Sequence, residues 1–363
     1  MIDFEKGIVN RGSWGRLRCV MRRAAEGQPL KVGFLGGSIT QGSLASTPET
    51  CYAWLVYSWW REHYPQTEYI NAGIGGTTSQ FGAARVEADL LRYHPDVVFV
   101  EFSVNDDCNA HFQETYEGLV RKIIRSGAAV VLIHNVMYDT MRSAEDIHLA
   151  IGRHYNLPCV SMKSTIYPEV AAGRIPNRQI TPDDLHPNDE GHALVASVIT
   201  CFLDQVFASD AEEADRSLPA PLTANQYETS IRYQNQNSNP VCHGFEADLT
   251  PQEHITQMFR HGYTAWKEGA SIEFAVEGTG IAVQYRKSVR KPAPIARVVV
   301  DDCQELAVLL DANFQEDWGD CLYIDTVLEH GEKKMHKVTI TITESHDDDV
   351  VPFYLVSVIG SME

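Results

Sequence analysis

The chain has 363 residues, 44% of them hydrophobic, and a formal net charge of -19. That length exceeds the usual single-domain range and predicts two domains, each able to bury an ordinary core. The acidic balance argues against nucleic acid or an anionic membrane as partner, since both are held through clustered Lys and Arg.

The first residues, MIDFEKGIVNRGSWGRLRCVMRRAAEG, scatter charges among apolar positions and lack the apolar core of a secretory signal. No stretch reads as a run of the roughly 18 apolar residues that a membrane span needs. The eight cysteines, Cys19, Cys51, Cys108, Cys159, Cys201, Cys242, Cys303 and Cys321, are widely spaced, with no CxxC pair and no His/Cys cluster. They read as reduced thiols of a cytoplasmic protein, with neither a disulfide frame nor a metal site.

From residue 30 to 207, short uninterrupted apolar runs alternate with helical periods. Val32 to Leu35, Val97 to Phe102 and Ala129 to Ile133 are continuous, as strands buried on both faces of a parallel sheet must be. Phe112, Tyr116, Leu119, Val120 and Ile123 share one helical face, and Leu194, Val195, Val198, Ile199, Phe202 and Val206 another. This alternation predicts an α/β domain with right-handed crossovers over 1–207.

Four short motifs punctuate that domain: GGSIT at 36–40, NAGIGGTTS at 71–79, SVND at 103–106 and DDLHP at 183–187. Each alone has a plainer reading. Gly36 and Gly37 suit a tight turn, Gly75 and Gly76 a turn as well, Asn105 a helix cap. In order, however, they supply what acyl transfer requires. A serine hydroxyl needs a base to take its proton, and an imidazole needs a carboxylate on its other nitrogen. Ser38, His186 and Asp183 fit those roles, with Asp184 a poorer fit than Asp183. Charge developing on the carbonyl oxygen needs aimed donors; Ser38 and Gly76 offer backbone N–H groups and Asn105 a side-chain amide. Three of the four positions follow strands, and open parallel sheets build their sites outside the carboxyl ends of strands.

These blocks resemble the SGNH (GDSL-like) hydrolases, serine esterases named for Ser, Gly, Asn and His in four sequence blocks. The resemblance covers roughly residues 30 to 207 and implies a flavodoxin-like sheet, Ser38 as nucleophile, Asp183 and His186 as its partners, an oxyanion hole from Ser38, Gly76 and Asn105, and no cofactor. One departure is Gly37, where the motif that gives the family its GDSL name has an aspartate.

Residues 208 to 224 are acidic and Pro/Ala-rich without periodicity and predict a linker or a surface strap. Beyond them, from 225 to 363, runs such as SIEFAVEG, GIAVQYRK, HKVTITITE and FYLVSVIG alternate at strand period between turn residues, which predicts an all-β sandwich. A sandwich after such a hydrolase is similar in layout to carbohydrate esterase family 17, whose second domain resembles carbohydrate-binding family 35. The resemblance implies removal of O-acetyl groups from mannan-type oligosaccharides, with the 2-O-acetyl of mannose the expected target. Trp318, in the polar segment DANFQEDWGD, is a candidate for stacking on a sugar, or else a tryptophan folded back on its own domain. Two rivals are a lipid or acyl-thioester hydrolase with the same triad, and a non-catalytic carbohydrate-binding protein.

Overall fold

The computed structural model describes residues 2–212 and 217–362. It divides into two compact units, Met1–Asn225 and Gln226–Glu363.

In the first unit six strands form one sheet: β1 (Ile8–Asn10), β2 (Leu30–Gly36), β3 (Thr67–Gly73), β4 (Val97–Glu101), β5 (Ala129–His134) and β6 (Cys159–Ser161), in the order β1-β6-β5-β4-β2-β3. All pairings are parallel except that of β1 with β6. Counted from β2, the parallel strands run 2-1-3-4-5, the flavodoxin-like order, and its switch point lies between β2 and β4. The continuous apolar runs became the central strands for the expected reason: every residue of β4 and β5 is buried.

Helices cover both faces: α1 (Gly15–Ala25), α2 (Ser38–Gln41), α3 (Tyr52–His63), α4 (Ser79–Asp89), α5 (Ala110–Ser126), α6 (Glu145–His154), α7 (Ile166–Ala171), α8 (Asn177–Ile180) and α9 (Asp189–Ala208). Side-chain caps start the two long ones, Asn109 accepting from Phe112 N–H at 3.0 Å and Asn188 from Gly191 N–H at 3.1 Å. Phe34 of β2 stacks on Phe99 of β4 with ring centroids 4.9 Å apart, and Trp60, Tyr52 and Phe202 complete that side of the core. By length and composition α9 would be apolar enough to span a membrane, contrary to the sequence expectation that no stretch is. Its Val195, Val198, Ile199, Phe202, Leu203 and Val206 are instead buried in this core.

The expected linker, 208–224, falls partly on 213–216, which lie outside the described residues. Its described end packs on the hydrolase unit. Buried Glu117 of α5 accepts from Leu222 N–H at 2.6 Å, from Thr223 N–H at 2.7 Å, and from the hydroxyls of Thr223 and Tyr155. Arg121 donates to the Pro219 carbonyl at 2.9 Å. The unit boundary accordingly falls after Asn225.

The second unit pairs two antiparallel sheets. One runs β15 (Cys321–Leu328), β12 (Gly280–Lys287), β17 (Phe353–Ser361), β10 (Tyr263–Ala265), β9 (Glu246–Ala247), with β7 (Ile231–Tyr233) also on β17; the other runs β14 (Cys303–Asp311), β13 (Ile295–Val300), β16 (Lys334–Glu344), β11 (Ser271–Gly278), β8 (Val241–His243). Alternate residues of β11, β13 and β16 point inward, and Ile272, Phe274, Val298, Ile340, Val283 and Phe353 form one core between the sheets.

Glu117→Ala would leave the Leu222 and Thr223 amides without their acceptor. We expect a loss of about 3 kcal/mol in the stability of the first unit, read by denaturant unfolding, together with faster proteolytic cleavage within residues 217–225.

Candidate functional site

The site is built on the carboxyl ends of β2, β3 and β4. After Gly36 the chain turns at Gly37 into α2, a single turn whose first residue is Ser38 and which stops at Gly42 in the left-handed region, φ 102°. As the first helical residue Ser38 has no intrahelical partner for its N–H. The turn lies so close to β3 that a Cβ on Gly73 would come within 2.2 Å of Gln41 N, so only glycine fits there. Beneath it the Gly36 carbonyl accepts from Ile74 N–H at 3.0 Å and from the fully buried Arg85 at 3.2 Å.

Ser38 is 8% exposed, and its Oγ lies 2.8 Å from His186 Nε2. His186 Nδ1 lies 2.6 Å from Asp183 Oδ2. The other carboxylate oxygen, Oδ1, accepts from His186 N–H at 2.7 Å, Leu185 N–H at 3.1 Å and Thr181 Oγ1 at 3.2 Å. Burial pushes the Asp183 carboxyl up, but the hydrogen bonds from His186 and Leu185 outweigh it and hold the group below its ordinary value. Nδ1 is therefore placed to donate, which leaves Nε2 as the acceptor facing the serine. Asp184, with a left-handed backbone (φ 68°), turns its carboxylate elsewhere; it accepts from Asn177 and, at 2.7 Å, from Arg178, while its carbonyl takes the Tyr138 N–H at 2.8 Å.

Two further segments reach the same strand ends. Gly76 has φ 67°, a conformation suited to glycine, and the loop around it is fixed by Thr77 Oγ1 donating to Ile74 O at 2.6 Å and by Gly75 N–H donating to Gln41 Oε1, also at 2.6 Å. Asn105 follows β4 and packs against the turn at Gly37, where a Cβ would lie 2.2 Å from Asn105 Oδ1. Ser38, His186, Asp183, Gly76 and Asn105 are thus placed on three adjacent strand ends and the loop before α9.

Several participants were not singled out from the sequence. Asp189 accepts from Ser46 N–H at 2.7 Å, Ser46 Oγ at 2.6 Å and Thr50 Oγ1 at 2.7 Å, tying the start of α9 to the segment after α2. His192 accepts from Tyr52 N–H at 3.3 Å and donates to the Ser43 carbonyl at 3.2 Å. Under Asn105 lies a buried polar group: Asp106 with His148, and Glu101 with Ser103. Burial lifts the Glu101 carboxyl to about 7, raises that of Asp106 and depresses the His148 imidazole. The run HPNDEGH could have flagged Asp189 and His192, since they recur at helical spacing just beyond His186.

Among the described residues no group of His, Cys, Asp or Glu is arranged to hold a metal ion. In the second unit Trp318 is 57% exposed on the segment between β14 and β15, with its indole N–H donated to Glu316 and its ring edge-on to Phe314 at 5.0 Å.

The GDSL-like lipase/acylhydrolase family matches residues 34–194. Over its full length the chain is 62% identical to a two-domain esterase (CEX) active on acetylated mannans, covering 99% of that chain with a TM-score of 0.98. The chain belongs to the GDSL-like lipase/acylhydrolase family. The same esterase co-crystallized with mannopentaose superposes with a TM-score of 0.96, again at 62% identity over all of this chain and 99% of the other. More distantly, the thioesterase 1/protease 1/lysophospholipase L1 of Escherichia coli (strain K12) is 27% identical over 193 residues, 48% of this chain and 82% of that protein.

For a GDSL-like esterase the glycine at position 37 has a local reason: the Asn105 amide fills the space that a side chain there would need. Gly37→Ala should displace Asn105 and lower kcat by at least about tenfold, on the scale of a donor misplaced by a fraction of an ångström, with little change in thermal stability. Steady-state kinetics on an aryl acetate and the variant's crystal structure check this.

Proposed function

We propose that this esterase removes O-acetyl groups from mannan-type oligosaccharides through an acetyl-enzyme intermediate. The observation that carries the chemistry is the continuous Asp183–His186–Ser38 hydrogen-bond chain. The substrate class is supported by the 62% identical esterase active on acetylated mannans and by its crystallization with mannopentaose.

In this reading Ser38 Oγ attacks the acetyl carbonyl while His186 Nε2 takes the hydroxyl proton, and Asp183 stabilises the imidazolium. The carbonyl oxygen gains charge that the Ser38 and Gly76 N–H groups and the Asn105 amide meet, each such donor worth about 3 to 4 kcal/mol at the transition state. Collapse breaks the bond to the sugar oxygen, which leaves with the proton held on His186. Water then gives a proton to His186 Nε2 and attacks the acetyl-Ser38 carbonyl. Acetate departs and Ser38 recovers its proton, so water is the only co-reactant consumed. In the second unit, the sandwich is proposed to contribute sugar recognition, with the exposed Trp318 ring as its stacking surface.

Ser38→Ala should fold as the parent does and lose at least about a thousandfold in kcat, because only binding and oxyanion contacts survive the loss of a triad member. Retention of more than a tenth of the activity would remove Ser38 as nucleophile. Release of acetate from acetylated mannan fragments, followed by mass spectrometry beside xylan and chitin fragments, tests the substrate class; preference for long acyl chains on aryl esters would favour a lipid or thioester hydrolase instead.

Trp318→Ala should spare an aryl acetate within about threefold and cost at least about tenfold on an acetylated oligosaccharide, the scale of one stacking contact of about 1 to 2 kcal/mol. Equal losses on both substrates would make Trp318 a structural residue of its own unit.

A further inference from the structure

Asp106 follows the oxyanion asparagine directly and is 1% exposed. Its Oδ1 accepts from Ser79 N–H at 2.9 Å, and its Oδ2 lies 3.0 Å from His148 Nε2. Ser79 opens α4, three residues after Gly76. One buried carboxyl group therefore joins the two segments that present the oxyanion donors: Asn105 as its chain neighbour, and Gly76 through the first turn of α4. Its backbone is fixed as well, since Asn105 N–H and Asp106 N–H both donate to the Phe102 carbonyl, at 3.0 and 2.9 Å. His148, fully buried on α6, is held in turn by Tyr116 of α5, whose ring stacks on the imidazole at 3.5 Å with a 9° interplanar angle.

A buried polar pair is a costly way to fasten a loop to a helix, because an apolar contact would do so without desolvating a carboxyl and an imidazole. What it provides is direction. The Ser79 N–H bond ties the Gly76 segment to the Asn105 segment at one separation, the His148 bond fixes the carboxyl group that makes it, and an oxyanion hole works only at one separation. On the reading of Gly76 and Asn105 proposed above, we infer that Asp106, backed by His148, is a positioning residue that sets the spacing of the two oxyanion donors. It touches neither substrate nor reacting atoms.

A kinetic cycle tests this. Asp106→Ala, which removes both bonds, should lower kcat on an aryl acetate by about a hundredfold, the scale of a donor misplaced by about 1 Å, with KM within about twofold. Asp106→Asn can still accept from Ser79 N–H and reach His148 through its other tautomer, and should keep kcat within about fivefold. In an Asn105→Ala background, itself slower by about a hundredfold, Asp106→Ala should cost only about a further tenfold or less, since one of the donors it aims is gone. If Asp106→Ala does not fold by circular dichroism, His148→Leu, which removes only the Oδ2 bond, takes its place, with about a tenfold loss in the parent and about threefold or less beside Asn105→Ala. Equal costs in the two backgrounds, a loss confined to KM, or Asp106→Asn as impaired as Asp106→Ala would overturn the inference while leaving the oxyanion reading intact. An Asn105→Ala enzyme with full kcat would remove the oxyanion reading and this inference with it.

Discussion

The 2.8 Å contact between Ser38 Oγ and His186 Nε2 joins residues 148 positions apart in the chain. Nothing local holds the two atoms together. Ser38 is set by the end of β2, His186 by a loop that leaves α8 and enters α9, and the length of the bond is fixed by whatever fixes those two segments. A proton can pass at this distance and not a few ångströms further. The surrounding structure is therefore best understood as a set of braces on that one separation.

Those braces are polar and fall on both sides of the loop. Asp189 takes three hydrogen bonds from Ser46 and Thr50, and His192 bridges Tyr52 and Ser43, so the start of α9 is fastened to the chain just beyond Ser38. The hydrogen bonds around Asp189 hold its carboxyl down at about 2, and those to Asp183 hold it below its ordinary value. A group whose carboxyl is depressed in the folded state favours folding above its unfolded value and loses that contribution as pH falls through the folded one. The Asp183 and Asp189 carboxylates therefore stay charged through the neutral range, and their hydrogen bonds weaken only in acid. On the other side, Asn177 and Arg178 fasten Asp184, which leaves Asp183 free to turn its carboxylate toward the imidazole.

How much of this could be read from the residues follows from the range of the interactions. Ser38, Gly76, Asn105 and His186 stand in short blocks whose residue types state a chemistry, and the first three blocks also fall after strands that apolar runs make visible. The long strands of the second unit show the two-residue alternation of half-buried sheets. The strands β7 to β10 do not, because segments of two or three residues carry no period. The Pro/Ala-rich stretch before them lacks periodicity too, yet its last residues are bound by Glu117, a charged residue on a helix face that composition marks as solvated. Asp106 and His148 were hidden for the same reason: each is ordinary in sequence, and the pairing of residues 42 positions apart exists only in the fold.

The buried groups under Asn105 show what the site asks of the core beneath it. An apolar layer would pack as densely, but dispersion contacts resist displacement in no particular direction. A carboxyl that accepts an amide on one side and faces an imidazole on the other resists it along two. Fully buried Arg85, donating to the Gly36 carbonyl under the turn that carries Ser38, has the same character, its own charge met by Asp89 at 3.1 Å. Desolvation works against each of these groups, raising Asp106 and Glu101 and lowering His148 and Arg85. Polar groups are thus concentrated around Ser38, Gly76 and Asn105, while Phe34, Phe99 and Trp60 pack an apolar cluster of the same unit. Local conflict with the rules of core packing marks the places where geometry, rather than stability, sets the choice of residue.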